Sequence, residues 1–379
     1  MKLEIDPVRV RALRHRIEMP VQRAAELSGL DPALIEHLEA DRDVVEVDVV
    51  RRLAKAYNRN WYVFLLDDEP GAPALPRDLR RLSRGAATSD ETLIAFDDAE
   101  LLIDKILDLP RESDVPPMTL SNIAGMTADD AAQLIRDELG ATLEAQRQHA
   151  AEYDAVRYWS ALLTKAGFYA GQLSFPYREV RAFCLRRDGV SLIVVSSRDS
   201  PRARVFSMLH ELGHLLLGGE AMCQPRSDET SQSALAEEPF CNAFAAAVLM
   251  PADEFASDPA ALALRGKSLN LGDAVQLARR FGVSELAALR RLATVGVISQ
   301  EEYERLHRER DEDFSDEPEP STRPRIRKQA TRMINENSRL YATEVLDAHA
   351  RGDISLREIG VLLGGNLKHV QAIREELRR

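Results

Sequence analysis

The chain has 379 residues, of which 45% are hydrophobic and 30% charged, and this length predicts two or three domains rather than one core. Its net charge of −12 disfavours nonspecific adhesion of the whole molecule to nucleic acid, although one local basic surface stays compatible with it. No apolar run reaches the roughly 18 residues of a membrane span, and the N-terminal stretch lacks the apolar core of a secretion signal. We therefore expect a cytoplasmic protein that is not associated with a membrane.

The predicted elements follow one another in three regions separated by two segments rich in proline and charge. The first region consists of short helices, the second begins and ends with helices around a β-rich stretch that starts at Gly167, and the third is helical. The fold class predicted is α+β and mostly helical, with a small β-sheet. The regions are 1–66 (helix-turn-helix-like domain), 67–90 (linker), 91–310 (mixed domain), 311–324 (acidic linker) and 325–379 (C-terminal helical module).

The stretch RVFSMLHELGHLLLG, residues 204–218, has the spacing of a helix with two histidines on one face. His210 and His214 lie four positions apart, so their imidazoles point to one spot and can each give a nitrogen to Zn²⁺. Glu211 lies about 100° further round the helix, where it can take a proton from a zinc-bound water. This HExxH arrangement is typical of zinc peptidases. The alternative, two core histidines, would require polar partners for both rings.

A catalytic zinc needs a third protein ligand, and the next helix offers one in AEEPFCNAFAAAVLMP. We predict that Glu238 binds the metal from the first turn of that helix and that Asn242 supports a ligand histidine. Pro239 would occupy the first helical position, which needs no N–H donor. Glu237 is the reserve choice for the third ligand. The alternative is that both glutamates are solvated charges at a helix start.

The three cysteines are too few and too scattered for a disulfide framework. Cys223 lies between the two motif segments, but no partner cysteine stands at metal-binding spacing. We expect all three to be small buried thiols.

These motifs together resemble the ImmA/IrrE zinc metallopeptidases, over about residues 90–310. The resemblance implies a zincin-like peptidase core in which His210, His214 and Glu238 bind zinc and Glu211 is the general base. It also implies a protein substrate, a helix-turn-helix repressor cleaved or inactivated in response to DNA damage or mobile-element induction. The sequence departs from the family at EEPFCN, where an alanine-containing stretch without proline is more usual. This departure makes the third ligand less well defined than the histidines.

The N-terminal region resembles an Xre-type helix-turn-helix domain. The stretch AAELSGLDPALIEHLEADR matches the outline of that motif at Ala25, Gly29, Leu30, Ile35 and Glu39. The expected recognition helix, residues 32–39, has no Arg, Lys, Gln, Ser or Thr to read base edges, and its two glutamates repel phosphate.

Four arginines on the first predicted helix offer another route to DNA. They could contact backbone phosphates or simply form a solvated helix face: Arg9, Arg11, Arg14 and Arg16. The N-terminal domain therefore either binds DNA, or docks a protein partner or covers the peptidase cleft.

Three functions follow from these patterns. The leading hypothesis is a zinc-dependent endopeptidase that cleaves a regulatory protein. The second is a DNA-binding transcription regulator whose peptidase-like domain senses a ligand or metal. The third is a toxin or defence component controlled by a partner protein.

Overall fold

The computed structural model describes residues 2–17, 19–57, 64, 89–110, 119–218, 232–313, 329–364 and 369–378. The chain forms two compact units, Met1–Leu102 and Ile103–Arg379. Among the helices described, none combines the length and the apolar character needed to cross a membrane. Most of the two predicted linkers, 67–90 and 311–324, and all of Cys223 lie outside the described residues, so those boundaries stay predictions.

In the part of the first unit that the structure describes there are four short helices, a two-stranded sheet and the start of a longer helix. Its elements are β1 (Lys2–Ile5), α1 (Pro7–Arg16), α2 (Val21–Ser28), α3 (Pro32–Ala40), β2 (Asp43–Glu46), α4 (Val47–Ala56) and α5 (Asp90–Leu107), which continues into the second unit. The helices agree with the prediction for 1–66, but the antiparallel pair β1–β2 was not predicted. Each strand has only four residues, KLEI and DVVE, and such short segments give no distinctive pattern in the sequence; in the fold, Lys2 lies opposite Glu46.

The turn between α2 and α3 has the geometry that the sequence indicated. Gly29 ends α2 in the left-handed conformation with φ of 63°, which a side chain rarely adopts. Asp31 then caps α3 by accepting a hydrogen bond from the Ala33 amide, and Pro32 takes the first helical position. The apolar positions Leu30 and Ile35 are buried.

Three of the four arginines considered as phosphate contacts are instead buried or ion-paired within the unit. Arg14 forms a bidentate ion pair with Glu39, with both nitrogen–oxygen distances 2.6 Å, and the two side chains are 11% and 8% exposed. The Arg16 Nε lies 2.6 Å from Asp97 Oδ1, and Arg9 is buried. Only Arg11 of the four is exposed. Neither alternative given for the four arginines, phosphate contacts or a solvated helix face, describes Arg9, Arg14 and Arg16, because these three are buried or paired with carboxylates of the unit.

The second unit holds a three-stranded sheet and the remaining helices. Its strands lie in the order β3-β5-β4, with β3 parallel and β4 antiparallel to the central β5. The elements are α6 (Ala128–Leu139), α7 (Leu143–Gln148), α8 (Glu152–Lys165), β3 (Tyr169–Leu173), β4 (Ala182–Arg187), β5 (Val190–Ser196), α9 (Pro201–Leu217), α10 (Gln232–Leu249), α11 (Ala252–Ala256), α12 (Pro259–Leu262), a 3₁₀ turn (Leu271–Ala274), α13 (Val275–Phe281), α14 (Glu285–Thr294), α15 (Gln300–Asp313), α16 (Gln329–Asn337), α17 (Arg339–Arg351), α18 (Leu356–Leu362) and α19 (Val370–Leu377).

The hairpin β4–β5 turns at Asp188-Gly189, the dipeptide that marked it in the sequence. Both residues have positive φ, 48° and 83°, as a two-residue hairpin turn matched to strand twist requires. The central strand Val190–Ser196 is buried along its whole length. A strand covered on both faces reads as a continuous apolar run, which explains the sequence VSLIVVS.

Helices α9 and α10 lie in the core of the second unit. Helix α9 packs across β4 and β5, and α10 packs against both α9 and α6. The C-terminal carbonyls of α10 are held by buried polar side chains. Arg136 Nη1 donates to the Val248 carbonyl at 2.6 Å, Gln146 Nε2 to the Leu249 carbonyl at 2.8 Å, and Arg291 Nε to the Met250 carbonyl at 2.9 Å. These bonds satisfy acceptors that a helix end leaves open and fix α10 relative to its neighbours.

The C-terminal helices pack on the free edge of the sheet. The amide of Ala170 in β3 donates to Ser338 Oγ at 3.0 Å, and Tyr169 Oη donates to the Glu344 carboxylate. Ser338 is fully buried. Strand β3 pairs with β5 along one edge, and these contacts with the C-terminal helices cover its other edge.

Candidate metal centre

Helix α9 presents the two motif histidines as its sequence predicted. Ser200 caps the helix by accepting a hydrogen bond from the Ala203 amide, and Pro201 takes the first position. The apolar stripe faces the core, since its members are at most 1% exposed: Val205, Leu209, Leu212 and Leu216. The neighbouring face therefore carries His210 and His214 at the edge of the core.

A glycine lets the two helices of the site approach each other closely. A Cβ atom built on Gly213 would lie 3.1 Å from Phe244 Cδ1 and 3.2 Å from Cys241 Sγ, both on α10. Few real Cβ atoms have such short contacts. The absence of a side chain at Gly213 therefore sets the distance between α9 and α10, and with it the position of Glu238.

The structure brings three of the four predicted site residues together. His210 Nε2 and His214 Nε2 lie 3.1 Å apart. Glu238 Oε1 is 3.2 Å from His214 Nε2, and its Oε2 is 3.3 Å from His210 Nε2. His210, His214 and Glu238 form the group whose ligand atoms lie within 4.8 Å of one another, among the residues that the structure describes.

These separations fit a tetrahedral zinc ion. With Zn–N and Zn–O bonds of about 2.0–2.1 Å, two ligands at the tetrahedral angle lie about 3.3–3.4 Å apart. The observed 3.1–3.3 Å is within a few tenths of an ångström of that value. Two imidazoles and one carboxylate are also the donors of catalytic zinc sites, which keep one position open. The residues present therefore fit the metal.

Residues 164–293 match the family model Peptidase_M78, described as the IrrE N-terminal-like domain. This part of the chain is therefore similar to the IrrE N-terminal-like domain. The match includes both histidines and Glu238, and it lies inside the region 90–310 on which the resemblance was based. Searches of curated proteins and of solved structures found no match.

The family indicates a metallopeptidase with a metal ion, and a mostly helical peptidase domain with a small sheet agrees with the predicted fold class. We refer to residues 164–293 as the M78 domain. The match covers the sheet and the helices α9 and α10, and these two helices carry the candidate site.

The hydrogen bonds and charges of the site favour a protonated His214 beside an ionised Glu238, since they raise the pKa of the imidazole and lower that of the carboxyl. Burial disfavours the charged form of His214, but hydrogen bonds to Cys241 and Glu238 and the charge of Glu211 outweigh it and raise its pKa to about 11. Hydrogen bonds from His210 and His214 lower the pKa of Glu238. A metal ion supplies positive charge at the same place, so its binding requires that this proton leaves.

Glu211 is 8% exposed and lies close enough to His214 for its charge to act on that ring. It is not among the three converging ligands. This placement agrees with its predicted position about 100° round the helix from His210.

Cys241 is a site residue that the sequence reasoning missed. Cys241 is fully buried, as expected, but its side chain also hydrogen-bonds to His214. Burial raises the pKa of the thiol, so Cys241 is a neutral group beside the histidine. The spacing E-x-x-C was the available signal, because Cys241 lies one turn after Glu238 on the same face of α10.

Two predictions about α10 are wrong in detail. The helix begins at Gln232, so Pro239 lies inside it and not at its first position, and Glu238 lies in the second turn. Asn242 was expected to support a histidine, but among the described residues it makes no hydrogen bond to His210 or His214. Cys241 is the residue of α10 that hydrogen-bonds to His214. Glu237, the reserve ligand, is not part of the cluster. Sequence alone did not show the two extra turns because SQSAL carries no apolar periodicity.

The close contact at Gly213 predicts the effect of adding one methyl group. In an open helix, Gly→Ala gains about 1 kcal/mol. Here Gly213→Ala should instead destabilise the packing of α9 on α10 by about 1–3 kcal/mol, because the new Cβ meets Phe244 and Cys241. The loss of stability is measured by amide hydrogen exchange of the full chain. Peptides from 201–217 and 237–249 should exchange faster in the variant than in the wild type.

The double variant Gly213→Ala with Cys241→Ala provides the matched control. It removes the Sγ atom that lies 3.2 Å from the added methyl, so part of the lost protection should return. Slower amide exchange in Gly213→Ala than in the wild type would show that α10 accommodates the added methyl group without a loss of stability. The prediction from the close contact at Gly213 would then be wrong.

Proposed function

We propose that the chain is a zinc-dependent endopeptidase that cleaves a regulatory protein. The observation that supports the proposal most directly is the convergence of His210, His214 and Glu238 at separations of 3.1–3.3 Å, inside an M78 domain. Each of these side chains has the donor atom that zinc prefers, and an open position is left for water or a substrate carbonyl.

A bound zinc ion would supply Lewis-acid chemistry, polarising the scissile carbonyl and making water acidic near neutral pH. The protein groups supply proton transfer and orientation. Glu211 is buried beside His214, and as a general base it accepts the proton of the attacking water and passes it to the leaving amine. Cys241 holds the His214 ring from the side of α10.

The proposed substrate is a helix-turn-helix repressor, cleaved in the cytoplasm during a stress, DNA-damage or mobile-element response. The resemblance to ImmA/IrrE peptidases supports this class of substrate. The burial of Arg14 with Glu39, and the ion pair of Arg16 with Asp97, leave α1 with little positive charge for DNA. The proposed partner is therefore a protein, and the N-terminal unit is free to recognise it.

The proposal is tested by comparing N-terminal peptides from cells that express the wild type or Glu211→Gln. We expect a new internal N terminus in one regulatory protein with the wild type alone, because the general base is needed for hydrolysis. Glu254→Gln, an exposed carboxylate of the same unit, is the control and should behave like the wild type. Identical sets of N termini for wild type and Glu211→Gln, under the inducing stresses, would remove the endopeptidase assignment.

A further inference from the structure

A cavity of about 250 Å³ lies in the second unit, between the peptidase-like core and the C-terminal helices. Residues of helix α8 and strand β3 line it together with residues of α16, the start of α17 and the end of α19. Its volume is somewhat below the range of about 300–1,000 Å³ typical of small-molecule sites, so it suits a small ligand. The lining residues are Tyr153, Val156, Arg157, Gln172, Thr331, Ile334, Asn335, Arg339 and Glu376.

Two arginines, Arg157 and Arg339, line this cavity. Arg157 on α8 is 61% exposed and pairs with Asp154, whereas Arg339 on α17 is partly buried and donates to the Leu377 carbonyl. Burial lowers the pKa of Arg339, Glu376 opposes that effect and the nearby Arg157 adds to it. Because both arginines line the same cavity, an anion bound there would offset the repulsion between their charges.

The other polar groups of the cavity limit the charge of that anion. Glu376 places one negative charge at the wall, which disfavours a doubly charged ligand such as phosphate. Gln172 is 8% exposed, and its Oε1 accepts from Arg204 at 3.2 Å, which leaves its amide N–H groups as donors. Val156 and Ile334 add apolar surface for the body of a ligand.

Two residues that line the cavity contact the helix that carries the two motif histidines. Arg204, in the first turn of α9, is 1% exposed and binds Gln172, and its guanidinium lies 5.9 Å from the ring centre of Tyr153. Both Gln172 and Tyr153 line the cavity. Arg204 further donates to the carbonyls of Asp199 and Ser197, which precede α9. One buried side chain thus connects the cavity wall to the start of α9.

We propose that this cavity binds a small monocarboxylate, with its carboxylate between Arg157 and Arg339 and its apolar part against Val156 and Ile334, and that binding rigidifies the start of α9. Arginine binds carboxylates through paired charge-assisted hydrogen bonds, which supports this ligand class. The proposal does not depend on the peptidase function, because it concerns binding and local order only.

Binding is tested on the full chain by isothermal titration with three carboxylates and their neutral amides: butanoate, 4-methylpentanoate and phenylacetate. We expect at least one carboxylate to bind about ten-fold or more tightly than its amide, because a hydrogen bond to a charged group is worth that factor or more. Arg339→Gln and Arg157→Gln should each weaken it by about ten-fold or more. Arg265→Gln, an exposed arginine elsewhere in the unit, should leave the affinity unchanged.

Arg157 is mostly exposed, so Arg157→Gln keeps the test valid if Arg339→Gln loses its fold. The proposal fails if no carboxylate binds more tightly than its amide, or if Arg157→Gln binds as the wild type does. Hydrogen exchange then locates the ligand: slower exchange is expected at 169–173, 329–339 and 201–209. Unchanged exchange at 201–209 in the presence of a bound carboxylate would overturn the connection to α9.

Discussion

His210→Ala is expected to abolish metal binding, whereas Glu211→Gln should retain about one zinc ion per chain, in keeping with a single three-ligand site. His210 contributes one of three ligand atoms, and two ligands hold zinc poorly after dialysis. Glu211 is beside the cluster and not in it, so its amide leaves the three donors in place. Metal analysis of the purified variants by mass spectrometry measures the zinc content directly.

The same pair of variants should separate binding from chemistry. Loss of a general base lowers the rate by about 10²–10⁴-fold, so Glu211→Gln should lose cleavage of the regulatory protein while it keeps the metal. His210→Ala should lose both.

The adjacent glutamates give a matched control for the third ligand. Glu238→Gln should lower the zinc content, because Glu238 Oε1 and Oε2 lie 3.2 and 3.3 Å from the two imidazole nitrogens. Glu237→Gln changes the same chemical group one position away and should leave the zinc content unchanged. Zinc content lowered equally by both substitutions, or by neither, would contradict the assignment of Glu238.

The metal centre was largely predictable because most of it is local. Helical geometry places His210 and His214 on one face from their spacing alone, and the next helix offered few carboxylates. The contact between Cys241 and His214 depends instead on how closely α9 and α10 pack, which Gly213 sets. Such a distance between helices has no signature in the periodicity of either one.

The fold class was predictable for a similar reason, and the features that the sequence did not predict depend on contacts between residues far apart in the chain. The hairpin at Asp188-Gly189 is marked by a turn dipeptide, and the buried strand Val190–Ser196 by an apolar run. The pair β1–β2 joins two four-residue strands across more than thirty intervening residues, so no local pattern marks it. The packing of Ser338 and Glu344 on β3 likewise follows from tertiary contacts and was not predicted.

In the N-terminal unit, Glu39→Ala should lower the local free energy of unfolding by about 3–5 kcal/mol, because it leaves the Arg14 charge buried without its carboxylate. Exchange of amides in 7–56 of the full chain should therefore speed up by two or more orders of magnitude, since about 1.4 kcal/mol is a factor of ten. Glu36→Ala, an exposed glutamate on the same helix, should change stability by less than about 0.5 kcal/mol.

Replacing both Arg14 and Glu39 shows whether the loss of stability in Glu39→Ala comes from an unpaired buried charge or from lost packing contacts. The pair Arg14→Met with Glu39→Met removes both charges and keeps apolar volume, so most of the lost stability should return. If Glu39→Ala exchanged no faster than Glu36→Ala, the pair would be a surface contact and Arg14 would again be available to phosphate. Burial of this guanidinium is thus one physical reason why the basic pattern RVRALRHR does not predict a DNA-binding face: two of the charges on α1, those of Arg14 and Arg16, neutralise carboxylates of the same unit.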